Sequence, residues 1–550
     1  MKNTLKYTFL SALFLGFVAC DVDNNLPEIK GEAESTVALQ AGSADFSKYV
    51  AIGASFTAGF TDNALFKAGQ QNSFPNTLAK KFAMVGGGDF TQPLMNDNYG
   101  GLILAGSPVL HPVTGERLFD VRLTFNGEGP TSLSNVNPMA MSTTDFALNN
   151  PTGPFNNVGV PGAKSTHFIA PGYGNLANFP AAANPYAVRV AGSTDASIIE
   201  LAVGQNPTFF TLSEFGGNDV LGYATSGGDD SSPITSTATF DFALGTVEAA
   251  LKLTGAKGVV ANLPYITSLP HFTTVPYAPL DPSNPDFGAQ IPTLNNVFGA
   301  INGVFEAIGV PERSIVFATD AASAVVIKDE SLEDKTAQIV GALLASPTFP
   351  PFVASFGLPT DATTLQKVAG LLGTYYGQAR QATADDLLVL PSMNVIGEIN
   401  KSSVQFLMTQ GLPEQLAGMF SVEGVSLPLE DKWVLVPSEQ AEIKVATDAY
   451  NTSLKTMADA NGYAFVDFKA ILQEASTVGL EFGNYNMNTS LVTGGLVGLD
   501  GIHLTGRGYA LMANKMLAAI DATYGSNFTV GKDGLAKPDD YPTNYSPTLQ

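Results

Sequence analysis

Short runs of consecutive apolar residues recur along the chain, each bounded by Gly, Pro or polar residues. Y-V-A-I at 49–52, T-F-F-T-L-S at 208–213, G-V-V-A-N-L at 258–263 and Y-A-F-V-D at 463–467 are too short for helices. Their near-continuous apolar character predicts strands buried on both faces. Helical periodicity fills the spaces between them, over residues 74–84, 196–203 and 240–254. In the last of these, Phe242, Val247, Ala250 and Leu251 are expected on the buried face, with Gly255 as the stop. Ser438 is expected to cap a long helix that buries Ile443, Ala446, Tyr450, Leu454 and Met457 and stops at Gly462. Thr505 is expected to cap a final helix whose inner face holds Tyr509, Met512, Met516 and Ile520. Strands alternating with helices predict a parallel sheet covered on both sides.

Two long stretches interrupt this alternation. Residues 85–156 are rich in Gly, Pro and Asn and weakly periodic, and read as an irregular insertion with a hairpin or two, such as 117–125. Residues 286–429 carry helical patches at 291–308, 335–344, 363–372 and 404–408, and read as a helical insertion. It leaves after the 258–263 strand. There it is expected to roof a pocket with Phe298, Phe305, Phe352, Phe356 and Phe406; the alternative is a subdomain that binds a protein partner. Residues 21–45 are acidic and read as a flexible tether, and residues 523–550 as a surface tail.

Composition narrows the class. With 550 residues, 45% of them hydrophobic, the chain can bury a large core. A net charge of -23 argues against electrostatic binding to nucleic acid or an anionic membrane. The single cysteine, Cys20, excludes an intrachain disulfide. It follows a lysine-bearing start and the mainly apolar run 7–18, which has signal-peptide length. Phe17-Val18-Ala19-Cys20 resembles a bacterial lipobox, with Phe17 where Leu is usual. That resemblance implies cleavage after residue 19, a diacylglyceryl group on Cys20, and attachment to a membrane of the bacterial cell envelope, at the outer membrane or cell surface.

Four short stretches carry the candidate chemistry. The first strand runs into G-A-S-F at 53–56, where small residues let the chain turn and lift Ser55 out of the sheet. N-V-G-V-P-G-A follows at 157–163, F-G-G-N-D at 215–219 and D-G-I-H-L-T-G-R-G-Y at 500–509. In this order they resemble the conserved blocks of the SGNH (GDSL-like) hydrolase family, over roughly residues 46–522. The resemblance implies a flavodoxin-like three-layer α/β/α sandwich with a parallel sheet. It also implies a Ser55-His503-Asp500 triad, and an oxyanion hole from the amides of Ser55 and Gly162 and the side chain of Asn218. One departure stands out: Ala54 occupies the place of the family's acid beside the nucleophile. Thr57 stands where the G-x-S-x-G elbow of α/β-hydrolases has its second Gly, so that motif is absent.

The chemistry accounts for these residue types. A serine hydroxyl needs an adjacent base, which His503 supplies, and Asp500 three residues earlier fixes the imidazole's tautomer. Acyl transfer also needs donors aimed at the developing oxyanion. His111 precedes Pro112 in a loop and reads as a surface residue, His167 follows the second stretch and reads as packing near the site, and His271 lies in the loop after a core strand, where it is a candidate to line the pocket. No spacing of His, Cys or carboxylates marks a metal site, and no cofactor is expected. The chain has 35 Phe and one Trp, which favours an acyl or lipid ester over a carbohydrate. The expected activity is therefore a cell-envelope serine esterase. The alternatives are a glycan O-acetyl esterase of the same family and a non-catalytic ligand-binding lipoprotein on the same fold.

Overall fold

The computed structural model describes residues 35–112 and 115–550. The expected leader, Cys20 and residues 21–34 lie outside the described residues. The elements that place the site are, in chain order, β1 (Tyr49–Ile52), α1 (Ser55–Ala58), α2 (Phe74–Ala83), α3 (Ile198–Val203), β2 (Phe209–Leu212), α4 (Gly217–Thr225), α5 (Thr237–Thr254), β3 (Lys257–Ala261), α6 (Pro437–Asn461), β4 (Ala464–Val466), α7 (Phe468–Thr477) and α8 (Gly506–Tyr524).

All four strands pair in parallel, in the order β1-β2-β3-β4. Tyr49 lies opposite Phe209, and Phe209 opposite Lys257. A further extended segment runs along the free side of β1. The Ala51 amide donates to the Asn156 carbonyl (2.8 Å), Val158 to Ala51 (2.9 Å) and Val160 to Gly53 (3.0 Å). With that segment included, the spatial order in chain numbering is 2-1-3-4-5.

Side chains alternate across this sheet, as the two-residue period of a strand requires. Val50, Ile52, Phe210, Leu212 and Val260 point to one face, where α3, α5 and α6 pack. Tyr49, Ala51, Phe209, Val259 and Ala464 point to the other, against α2 and α8. On that second face Phe46 stacks on Phe82 at 4.0 Å between ring centroids, and Phe209 meets Phe82 edge-on at 5.5 Å. Every residue of β1 and β2 is buried, which is why neither strand shows polar alternation.

Several expectations are corrected. In α5 the buried face is Phe240, Ala243, Leu244, Val247 and Leu251, whereas Phe242 is 70% exposed. The register is set by Ser236, whose hydroxyl accepts from the Thr239 amide and caps the helix. α6 begins at Pro437, so Ser438 lies inside it; Glu439 reaches back to the Val436 amide instead. The 85–156 stretch holds two short hairpins, Ile103–Leu104 with Ser107–Pro108 and Leu123–Phe125 with Pro130–Ser132, the second lying later than expected.

The larger insertion extends beyond 286–429. A separate hydrophobic core spans it from Val275 to Val436, built on helices such as Ile291–Ala307, Thr336–Ala345 and Ala362–Tyr376. Phe298 and Phe305 are buried in that core rather than turned towards a pocket roof, and Phe406 is half exposed.

Both ends of the described chain are tied down. Residues 35–45 are not a free tether: the Lys532 amide donates to Val37 O (2.8 Å) and the Ser43 amide to Tyr524 O (2.8 Å). The 523–550 stretch is not a loose tail either. Phe528, Tyr541 and Tyr545 are buried, and Tyr545 packs edge-on against Phe66 at 4.8 Å. Arg122, fully buried, donates from Nη2 to Ser546 O (2.6 Å), from Nη1 to Tyr545 O (3.3 Å) and from Nε to Asn98 O (2.9 Å). Nη1 also reaches the adjacent Leu123 O (3.4 Å), but the other three carbonyls are far off in sequence, so local pattern gives no sign of them. Among the described residues no single helix is long and apolar enough to cross a membrane.

Arg122→Met keeps the stem of the side chain but removes the donor to the Asn98 and Tyr545 carbonyls and leaves Ser546 O with the Leu549 amide alone. It should cost about 3 kcal/mol of stability and expose the last twenty or so residues to protease before the rest of the chain. Thermal unfolding with limited proteolysis checks this; an unchanged melting curve and cleavage pattern would contradict it.

Candidate active site

The four motif stretches converge at the carboxyl ends of the parallel strands, where ligands bind in open sheets of this kind. Ser55 opens α1 directly after β1. Asn218 lies in the first turn of α4 after β2, and Gly162 follows the segment bridged to β1. Asp500 and His503 sit in the loop before α8, whose Thr505 hydroxyl accepts from the Gly508 amide as the cap.

His503 Nε2 lies 2.9 Å from Ser55 Oγ, and His503 Nδ1 lies 3.0 Å from Asp500 Oδ2. An ionised carboxylate only accepts, so the Nδ1–H donates to Asp500 and the bare Nε2 accepts from the serine hydroxyl. Phe60 and Phe56 flank the imidazole, with ring centroids at 4.7 and 5.6 Å. All three side chains are buried, with Ser55 8%, Asp500 8% and His503 9% exposed.

Asp500 is held at both oxygens. Oδ1 accepts from the amides of Ile502 and His503, both at 2.8 Å, and Oδ2 also accepts from the Asn63 amide at 2.7 Å. Burial pushes this carboxyl upward, but the His503 ring and the amides of Ile502 and Asn63 outweigh it and hold it below its ordinary value.

The Asn63 amide comes from a turn that motif reading missed. Asp62 and Asn63 both take left-handed backbone conformations (φ 52° and 62°), which Asp and Asn tolerate better than most residues. Asp62 Oδ1 accepts from the Leu499 amide (2.9 Å), so this pair grips the 499–503 loop at two points. The D-N dipeptide signals a turn, but nothing local indicates what it grips.

The turn that carries Gly162 is tied to Asn218, another of the expected oxyanion donors. The turn at 160–165 is pinned by Asn184 Nδ2 to Pro161 O (2.8 Å) and by Asn218 Nδ2 to Ala163 O (3.0 Å). Asp219 adds two bonds, accepting from the Ser165 amide and hydroxyl. The bond to Ala163 uses one hydrogen of the Asn218 amide and leaves the other available. Gly162 has φ 79°, a conformation that L side chains rarely adopt. Among the described residues the Ser55 and Gly162 amides have no acceptor.

An apolar cavity of about 120 Å³ opens beside Ser55 and Asn218. Its wall includes Leu263, Ile266, Leu472, Leu480, Ile502 and Leu511. Gly508, Leu511, Met512 and Lys515 line it along one face of α8, a rise of ~10 Å from first to last. None of the five phenylalanines expected to roof the pocket lines this cavity. A cleft of about 1180 Å³ lies in the 275–436 subdomain, but none of its lining residues belongs to the site.

The other histidines have structural partners. His167 Nδ1 accepts from the Lys164 amide (3.0 Å) and its ring stacks on Tyr173. His271 does not line the cavity; it braces the loop behind the site, its amide donating to Gly501 O (3.0 Å). Among the described residues no group of three or more His, Cys, Asp or Glu side chains is placed to hold a metal ion.

No protein-family model matches this chain, and no curated protein or solved structure matches it.

Asp62 yields a pH prediction. Burial first, then the charge of Asp500, raise its carboxyl from 3.8 to about 7, against the Leu499 amide, Arg122 and His503. Below the lower value Asp62 is protonated in both folded and unfolded chains. Between the two values only the unfolded chain releases its proton, so stability falls as pH rises; above the upper value the effect is constant. Asp62→Asn retains an acceptor for Leu499 without titrating. Its melting temperature relative to wild type should therefore rise between pH 4 and pH 7.5 and level off above. Parallel melting curves across that range would contradict the account.

Proposed function

We propose that this chain is a serine esterase that cleaves carboxylic esters through an acyl-enzyme, with acyl or lipid esters as its substrates. The observation that carries the reading is the imidazole of His503, hydrogen-bonded to Ser55 on one side and Asp500 on the other, beside an apolar cavity. In the first half-reaction Ser55 Oγ attacks the ester carbonyl as His503 Nε2 takes its proton. Asp500 stabilises the imidazolium, and the amides of Ser55 and Gly162 with the Asn218 side chain receive the oxyanion. The imidazolium then protonates the leaving alkoxide, and the alcohol departs. In the second half-reaction His503 draws a proton from water as the water oxygen attacks the acyl-serine; the intermediate collapses with cleavage of the C–Oγ bond, and the imidazolium returns its proton to Ser55 Oγ, releasing the carboxylic acid and restoring the free hydroxyl and neutral His503.

The same reading places the chain in the SGNH family with a flavodoxin-like core. The 2-1-3-4-5 strand order and the convergence of the four blocks at the strand ends support it. The mostly hydrocarbon cavity wall favours an acyl chain over an acetylated sugar. Lipid anchoring through Cys20 at the cell envelope belongs to the proposal on the strength of the leader sequence. Residues 43–47 lie against the amino ends of β2 and β3: the Ser47 hydroxyl faces Thr208, and Lys257 Nζ donates to Ser43 O. The chain thus enters the sheet at the edge opposite the site.

A series of p-nitrophenyl esters from acetate to dodecanoate, hydrolysed by the purified chain, tests the reading. Ser55→Ala should remove at least ~10³-fold of turnover, and Asn218→Ala should lower kcat by roughly 10²–10³-fold with little change in KM. Leu511→Trp fills the cavity and should lower turnover of hexanoate and longer esters far more than that of acetate. A folded Ser55→Ala variant with wild-type turnover would overturn the assignment. An unchanged chain-length profile in Leu511→Trp would remove the acyl role of the cavity.

A further inference from the structure

The nucleophile turn has an unusual support. α1 is only four residues long, and Ala54, its capping residue, has no side-chain acceptor to offer the first amides. The acceptor comes from another strand. Glu214, two residues beyond β2, places Oε1 2.6 Å from the Ala54 nitrogen and 2.8 Å from the Thr57 nitrogen. These are the amides of the cap position and of the third helical position. A capping box satisfies the same two with two side chains; here one carboxylate serves both. The Ser55 amide, lying between them, is left without an acceptor.

The surroundings are fitted to this carboxylate. A Cβ on Gly53 would fall 2.8 Å from Glu214 Oε1 and 2.0 Å from Thr57 Oγ1, so the strand end must be glycine for Glu214 to reach across. Glu214 itself takes φ 43°, a left-handed conformation uncommon for a residue of its size. The Gly217 amide donates to its carbonyl (2.9 Å), locking it to the start of α4, which carries Asn218. Its second oxygen, Oε2, is buried without a hydrogen-bond partner. One residue therefore joins the turn bearing the nucleophile to the helix bearing the third oxyanion donor.

We propose that Glu214 is a positioning residue for the reaction above: its carboxyl oxygen takes up the amides on either side of Ser55, leaving the Ser55 amide free and aimed at the oxyanion. This rests on the esterase reading. It also accounts for Ala54. A site with an external acceptor does not need an acid at the capping position, and Glu214, in the loop after β2, supplies that acceptor here.

Steady-state hydrolysis of p-nitrophenyl butyrate by the full chain tests the proposal, with melting curves to verify folding. Glu214→Ala should lower kcat by ~10–100-fold with KM changed less than about threefold, since the affected donor acts mainly on the transition state. Glu214→Gln keeps a carbonyl oxygen at the same reach and should recover most of that loss. Glu214→Asp is one methylene short of spanning both amides and should not. Ala54→Asp added to Glu214→Ala restores an acceptor at the cap and should regain part of kcat. If Glu214→Ala does not fold, the Gln and Asp variants carry the comparison. The proposal is overturned if folded Glu214→Ala matches wild type, or if Gln is as impaired as Asp. Ser55→Ala run alongside separates the failures. Hydrolysis that survives it removes the esterase reading and this proposal together. Ser55-dependent hydrolysis indifferent to Glu214 removes this proposal alone.

Discussion

The imidazole of His503 has to meet two groups at once, and its partner Ser55 stands 448 residues away along the chain. A ring nitrogen bonds a hydroxyl only within a few tenths of an ångström and a narrow range of angles. Both loops must therefore be held from behind. On the acid side, Asp500 is fixed by two amides of its own loop and by Asn63, which belongs to the turn following α1. On the serine side, Glu214 ties the turn to the neighbouring strand. The acid loop is thus anchored on the segment that follows Ser55, and the serine turn on the segment that leads to Asn218. The parallel sheet supplies the frame, because it delivers β1, β2 and the bridged 156–160 segment to one edge.

The cavity beside Ser55 assigns roles to the rest of the chain. Its walls come from α7, α8 and the loop after β3, elements of the core α/β unit. The 275–436 subdomain spends its phenylalanines on its own core. It meets the site loop at Leu390, packed beside Gly501, while His271, just ahead of the subdomain, donates its amide to the Gly501 carbonyl. Selection by acyl length therefore belongs in the proposal to core residues such as Leu472, Leu480 and Leu511, and the subdomain's large cleft stands apart from the chemistry.

What the sequence revealed follows the range of the forces involved. β1 and β2 were legible because strands buried on both faces must be apolar throughout, and that pattern is local. The caps at Thr505 and the stops at Gly255 and Gly462 were legible for the same reason. That Ser55, His503 and Asp500 meet was legible only through motif resemblance; their spacing alone does not bring them together. Glu214, Asp62 and Arg122 were not legible, because each acts on backbone groups that only the tertiary pairing brings within reach. The C-terminal stretch misled through its polar composition, although three aromatic anchors and the Arg122 bonds hold it down. Phe242 misled because two phenylalanines two residues apart offer two possible faces, and the Ser236 cap together with the packing of Phe240 selects the other.

The central claim is that His503 makes Ser55 a nucleophile. Labelling of the full chain with a fluorophosphonate, located by peptide mass spectrometry, tests it most directly, because the reagent phosphonylates only an activated serine and requires no knowledge of the natural ester. The account predicts a single adduct on Ser55, formed rapidly in wild type and slowed by orders of magnitude in a folded His503→Ala variant. An unlabelled Ser55 in the folded protein, or an adduct that forms as fast without His503, would contradict it.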